Sequence, residues 1–270
     1  MSDSFASPLT LIGVGASLAF SSIFYSHYQQ KKLEIQKLKE IPSFQADQHL
    51  LKILNASPER RLHYVAVEGV VQPAGEPLAS RYIPRCYGVV QKVTTQEHWK
   101  VRNASGTWVS KTMNAKETKS SVPFRLFQTG SYLSEISVKV ESPLEAGGDY
   151  LEEVHRGVRK AEDGLLDVVV QGLTGEKLTA QEEREEVLRV GTVLTGFGEV
   201  VLEHGGVMRL QPPRDGRAYI LLPGDHQSFI RRHENTAGMW KGLTGLFGIT
   251  GSTLLAAFIY GSLNKDSRKR

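Results

Sequence analysis

Two stretches of 23 residues without a formal charge, 4–26 and 242–264, stand near opposite ends of this 270-residue chain. A helix needs about 20 apolar residues to cross the hydrocarbon core of a bilayer. Each stretch is therefore read as a transmembrane helix, the first over 5–26 and the second over 242–264. Between them, residues 27–241 form the domain that the anchors hold, leaving an N-terminal tail at 1–4 and a basic tail at 265–270.

A cleaved signal peptide is the competing reading of the first stretch. It lacks a basic leader, carrying only Asp3 before it, and is longer than a usual signal core. The second stretch is bounded by Lys241 and Lys265, with Trp240 and Tyr260 near its ends, as expected of residues at a membrane–water boundary. A buried core helix is the alternative for either, but such helices are shorter and seldom uncharged for so long. Two spans place both termini on one side. Lys31, Lys32, Lys37 and Lys39 after the first span balance the basic tail after the second, so charge counting does not set the orientation.

Small residues recur at four-residue spacing in both spans: Gly13, Ser17 and Ser21, then Gly248, Ser252 and Ala256. That pattern permits close helix packing or a homo-oligomer. No ionisable residue lies within either span, which argues against an ion or proton path.

Composition narrows the function further. The single cysteine, Cys86, excludes an internal disulfide, a thiolate iron–sulfur cluster and any cysteine-rich zinc module from these residues. The net charge of +4 is concentrated in the tail, where residues 265–270 carry +3. What remains is close to neutral, so a broad nucleic-acid footprint is not expected and protein contacts are.

Between the spans the expectation is an α+β domain, β-rich, made of short antiparallel strands with a few helices. KKLEIQKLKEI, ended by Pro42, and HLLKILN, with Leu50, Leu51, Ile53 and Leu54 in an apolar stripe, read as helices. YVAVEGVV, YGVVQKVTT and HWKVR read as strands. Residues 103–106 fall between Trp99/Val101 and Trp108/Val109 and read as a hairpin loop; Thr129, Gly130 and Ser131 read as another. In the outgoing arm, Ile136, Val138 and Val140 alternate with polar residues.

Asp149 with Glu152, and Thr179 with Glu182, have capping-box spacing and predict helices at 150–156 and at 183–189, the latter ended by Gly191. Glu203, His204, Gly205 and Gly206 read as a turn between strands, Pro212 and Pro213 end the second of these, and Asp225 caps a helix that leads into the second span.

Chemistry is sparse. The eight histidines never recur at helix-turn spacing and no HExxH occurs, so no metal site is expected; His98 and His204 read as turn or surface residues. Gly13/Gly15 and Gly196/Gly198 lack the context of a phosphate loop, so no cofactor is assigned. Ser17 sits in a nucleophile-elbow-like spacing but inside the apolar span. Cys86, with Arg81 and Arg85 nearby, is the one candidate catalytic nucleophile, for a transthiolation; its alternative is a small hydrophobe at a strand end. Glu182, Glu183, Glu185 and Glu186 around Arg184 read as a solvated helix face. Asn103 with Ser105 forms a glycan acceptor that is used only in a secretory lumen.

YVAVEG at 64–69, GVV at 88–90, QEH at 96–98, VPF at 122–124, GTVLTGFGE at 191–199 and RLQPP at 209–213, set between two spans, resemble the mitochondrial ubiquitin ligase activator of NF-κB family. The resemblance is collinear over nearly the whole chain. It implies a multi-pass protein of the mitochondrial outer membrane with cytosolic termini and a central domain in the intermembrane space. It implies roles in ubiquitin or SUMO conjugation, mitochondrial dynamics, cell death and innate immune or NF-κB signalling. Family members carry a C-terminal RING; with one cysteine these residues cannot supply its zinc ligands. The expected role is thus a RING-less sensor, scaffold or regulator, with the lipid bilayer, full-length ligase relatives and mitochondrial dynamics proteins as partners. The alternatives are an E3 ligase in its own right and an ER-type receptor with a lumenal β domain.

Overall fold

Apolar residues crowded onto the segment after Pro58 drive the first long strand, and two later core strands, 124–127 and 193–202, pair with it. The computed structural model describes residues 8–130, 136–161, 176–203 and 205–267. They divide into a β-rich unit, Pro42–His226, and a helical unit built from the chain on either side of it.

In the β-rich unit, β1 (Ser43–Gln45) lies parallel to β2 (Arg61–Pro73), with α2 (Gln48–Ala56) between them in sequence, after the first helix, α1 (Pro8–Glu40). The Asp47 carboxylate caps α2 by accepting from the Leu50 amide at 3.0 Å. Leu50 and Leu54, one turn apart, are fully buried, as the apolar stripe predicts.

Strand β2 continues to β6 (Phe124–Phe127), β7 (Ser137–Val140), β11 (Met208–Gln211) and β10 (Val193–Leu202), and β10 returns to pair with β2. The ring therefore closes. A short strand, β12 (Ile220–Pro223), extends it from β10. Two of its pairings, β1 with β2 and β7 with β11, are parallel, and the other strand pairs of this sheet are antiparallel.

A barrel of this size is filled by its own side chains. Val67, Phe124, Leu126, Val138, Leu194 and Leu210 are all fully buried. Burying each such side chain is worth about 1.5–3 kcal/mol before chain entropy is counted. Glycine lets the walls approach: a Cβ on Gly198 would lie 2.7 Å from the Gln211 carbonyl oxygen and 3.0 Å from Tyr219 Cδ2. The GFG of the LTGFGE motif is thus a packing device.

A second sheet is built from β3 (Leu78–Ala79), β4 (Tyr87–Arg102), β5 (Trp108–Ser121), β8 (Glu152–Lys160) and β9 (Glu176–Arg189). Strand β4 is central, flanked by β9 on one side and by β3 and β5 on the other. YGVVQKVTT and HWKVR are one strand of 16 residues rather than two short ones. The 103–106 hairpin is present, with Val101 opposite Val109 and Asn103 Oδ1 accepting from the Thr107 amide. The turn joining β6 to β7 is described as far as Gly130; Ser131 and the start of the outgoing arm lie outside the described residues, as does His204 in the next hairpin.

Both capping-box helices are overturned: 150–156 falls largely in β8 and 183–189 in β9. An N-terminal cap gains about 1 kcal/mol, which is outweighed by two complete ladders, β9 being hydrogen-bonded to β4 on one edge and β8 on the other. Gly191, with φ of 85°, turns the chain between β9 and β10 instead of ending a helix.

In the helical unit, α1 joins the first expected span and the KKLEIQKLKEI helix into one helix to Glu40, and α3 (His226–Ser267) is likewise continuous. Among the described residues one helix, His226–Gly261, is long and apolar enough to cross a membrane. The helices α1 and α3 run antiparallel: Ser21 Oγ donates to the Thr244 carbonyl at 3.0 Å, and Lys39 pairs with Glu234 at 2.6 Å. Phe20, Phe24, Phe247 and Trp240 form an aromatic cluster between them. Gly248 meets Ser21, but Ser252 and Ala256 face outward; the second contact is made by Gly251 against Ser17 and Leu18.

Candidate functional site

The acidic run of β9 buries several carboxylates, besides Glu199 of β10, which is 1% exposed and pairs with Arg61. Strand geometry sends alternate side chains to opposite faces, so Glu182, Arg184 and Glu186 share one face and Glu183 and Glu185 the other. Relative exposure is 6% for Glu182, 0% for Glu185 and 9% for Glu186. The expectation of a solvated helix face is corrected on both counts: it is a strand, and three of its four glutamates are buried.

On the first face, Glu182 accepts from Gln96 Nε2 at 3.1 Å and from Arg156 Nε at 2.7 Å, with His98 Nε2 at 2.8 Å. Hydrogen bonding from His98, then from Gln96 and Arg156, holds its carboxyl below the usual range. Farther along, Lys92 bridges Glu117 and Glu186, and Arg184 joins Glu186 to Glu153. Every strand of the lattice contributes: β4, β5, β8 and β9.

On the second face, Glu185 anchors the loop joining β3 to β4. Ser80 Oγ donates to Oε2 at 2.6 Å, the Arg81 amide donates to Oε1 at 2.9 Å, and Gln91 Nε2 also donates to Oε1. Burial pushes the Glu185 carboxyl up, but these donors and the Tyr82 amide outweigh it and hold it below the ordinary value. Tyr82 stacks on His155 at 4.2 Å between ring centroids, and its hydroxyl donates to Glu183 at 3.1 Å. A cleft of about 330 Å³ opens at the start of β8, lined by Asp149, Tyr150, Glu152, Arg189, Thr192 and Pro223.

A carboxyl acting as general acid near neutrality needs its pKa raised. Those of Glu182 and Glu185 are moved the other way, so they act as fixed anions that organise strands and a loop.

Cys86, the candidate nucleophile, closes the same loop. It is 8% exposed, its carbonyl accepts from the Ser80 amide at 2.8 Å, and its amide donates to the Ile83 carbonyl at 3.4 Å. Arg81 and Arg85 are on that loop with exposed side chains. His98 and Glu182 are brought together, although their local sequence places one in a hairpin and the other on a helix. Ser80, Gln91, Tyr82 and His155 carry no signal of their own in the sequence, since only the fold brings them to Glu185 and its loop. Among the described residues no group of three or more His, Cys, Asp or Glu is placed to hold a metal ion.

The family model described as GIDE: E3 Ubiquitin ligase matches residues 91–256, from the middle of β4 into α3. "Mitochondrial ubiquitin ligase activator of nfkb 1-A" of Danio rerio is 37% identical over 248 residues, covering 92% of this chain and 72% of the relative. "Mitochondrial ubiquitin ligase activator of NFKB 1" of Mus musculus is 32% identical over 262 residues, 96% of this chain and 74% of the relative. "Mitochondrial E3 ubiquitin protein ligase 1" of Drosophila melanogaster is 27% identical over 259 residues, 96% and 73%. No solved structure matches the chain.

Proposed function

The chain belongs to the GIDE family of E3 ubiquitin ligases, that of the mitochondrial ubiquitin ligase activators of NF-κB, and from this premise we propose that it is a hairpin-anchored protein of the mitochondrial outer membrane. In this reading both α1 and α3 cross the bilayer, the termini are cytosolic and the β-rich unit lies in the intermembrane space. Its role in the ubiquitin-ligase system is that of a sensor or scaffold, feeding mitochondrial dynamics and innate immune or cell-death signalling. A single cysteine leaves these residues without the zinc ligands of a RING. Their contribution to ubiquitin transfer is therefore anchoring and partner engagement.

The observation that carries the reading is the helix pair. The apolar length of α3 is mated, residue against residue, to the uncharged length of α1: Gly13 against Leu254, Leu18 against Gly251 and Ser21 against Gly248. Small residues at such contacts let two membrane helices approach closely. Charged residues begin at Lys31 on α1 and at Lys241, next to Trp240, on α3.

Protease protection of terminally tagged protein in isolated mitochondria tests it. Both tags should be cleaved at once, with the β-rich unit surviving until the outer membrane is ruptured. Glycosidase-sensitive mobility through Asn103, on the exposed 103–106 hairpin, would instead place the domain in a secretory lumen and overturn the reading.

A further inference from the structure

We propose that the loop at 80–86 is a docking surface for an acidic protein segment, and that Glu185 is the positioning residue that holds it in its binding form. This goes beyond the membrane reading and does not depend on it, because it uses only the β-rich unit.

A carboxylate at 0% exposure is costly to bury and is retained only with full hydrogen bonding. Here that bonding is not spent on the barrel core. Two of the donors, Ser80 Oγ and the Arg81 amide, come from one short loop, and the Tyr82 and Ile83 amides of that loop donate in turn to Ser80 Oγ. The Tyr82–His155 stack and the Ser80 to Cys86 backbone bond fix the same loop from its flank and base. Arg85 is held at φ of 60°, a conformation that a side-chain-bearing residue adopts only when its surroundings enforce it.

What this rigid base presents is Arg81, Ile83, Pro84 and Arg85, all exposed, beside Tyr87, which is 50% exposed. Neither arginine forms an ion pair among the described residues. The nearby acids are already engaged: Glu183 accepts from Tyr82 and Glu185 lies beneath the loop. Two guanidinium groups flanking an apolar Ile-Pro pair complement carboxylates interspersed with apolar side chains, because the planar guanidinium grips a carboxylate with two parallel hydrogen bonds. A pre-ordered loop also avoids the ordering cost of binding. Lipid headgroup recognition uses clusters of about 4–8 Lys or Arg, and this loop has two, so a protein segment is the better fit.

The test uses the full chain in an uncharged detergent and a fluorescein-labelled decapeptide of alternating Glu and Leu, followed by anisotropy. Saturable binding should weaken about tenfold or more in the Arg81→Glu/Arg85→Glu variant. It should be unchanged in Lys100→Glu/Lys111→Glu, at the far end of the sheet. Glu185→Gln, which leaves both arginines in place, should weaken binding at temperatures well below its own Tm, an effect that lost stability alone would not produce. Absence of peptide binding at millimolar concentration, or equal binding by the Arg81→Glu/Arg85→Glu variant, overturns the proposal. Arginine-dependent sedimentation with phosphatidylserine-containing vesicles, without peptide binding, overturns it in favour of a membrane surface.

Discussion

The hydroxyl of Ser80 donates to Oε2 of Glu185 at 2.6 Å, joining residues 105 positions apart in the chain. Cutting that link at the acceptor strands several donors at once. Each buried polar group left without a partner costs about 1–3 kcal/mol. Glu185→Ala is therefore expected to destabilise the β-rich unit by about 3 kcal/mol or more, read as a fall in Tm. Trypsin should also cut faster after Arg81 and Arg85. Ser80→Ala, which removes one donor and leaves the others, should cost about 1 kcal/mol.

Acid should loosen the second sheet in a defined window. The Glu182 carboxyl is held low by His98, Gln96 and Arg156, and the Glu185 carboxyl by its donors against the opposing effect of burial. A folded-state pKa below the unfolded one gives stability that is complete above the unfolded value and is lost as pH falls through the folded value. Tm should thus be nearly flat down to the ordinary glutamate value of 4.5 and decline below it. The Glu182→Gln/Glu185→Gln variant should start lower and decline less steeply, because neither site then takes up a proton.

Gly198 separates packing from propensity in the LTGFGE motif. Its missing Cβ would sit 2.7 Å from a backbone oxygen, which cannot rotate away as a side chain can. Gly198→Ala should cost about 1–3 kcal/mol, the range for overpacking a filled core, with CD showing an unchanged strand content. Gly205→Ala is a contrasting change: nothing lies within 4 Å of its Cβ position, but its φ of 104° makes the substitution strained for a backbone reason.

Cys86 is buried beneath the loop it closes, whereas a transfer nucleophile must be reached as a thiolate by a bulky donor. Challenge with a ubiquitin-charged conjugating enzyme should leave no reducible ubiquitin adduct on the chain, and Cys86→Ser should behave as wild type.

The barrel strands are legible in the sequence because the side chains they bury are apolar: Val138 and Val140 alternate with Lys139 as in a half-buried strand, and Val65, Ala66 and Val67 form a continuous buried run. Strand β9 is not, because the side chains it buries are glutamates. Apolar–polar periodicity is blind to a carboxylate at 0% exposure, and Thr179 with Glu182 supplies a helix-start spacing that the cross-strand partners of Glu182 override. Glu182, Arg184 and Glu186 alternate in the fold with Glu183 and Glu185, but all five are charged, so no apolar–polar period marks the strand in the sequence. The loop donors to Glu185 have no local signal, since nothing near Ser80 in sequence names a partner 105 residues away. The helix pair is half legible: the small residues of α1 mark its contact face, while on α3 the four-residue rule selects Ser252 where the contact is made by Gly251.

That last difference is itself testable. Gly251 sits where a Cβ would come within 3.0 Å of Leu18 Cδ2 and 3.3 Å of Ser17 Cβ, whereas Ser252 is exposed and its hydroxyl donates back to the Gly248 carbonyl. Gly251→Leu should therefore push α1 and α3 apart, and Ser252→Leu should not. A disulfide reporter resolves the two. Ser21→Cys and Gly248→Cys, in a Cys86→Ser background, place thiols across a contact where Ser21 Oγ lies 3.3 Å from the Gly248 Cβ position, within reach of disulfide geometry. Oxidation in native membranes should join them within one chain, seen as a mobility shift on non-reducing gels. The shift should vanish on adding Gly251→Leu and persist with Ser252→Leu. Loss in both variants would mean that the exposed face of α3 is also packed, and a dimer-sized crosslinked band would point to a second copy as its occupant.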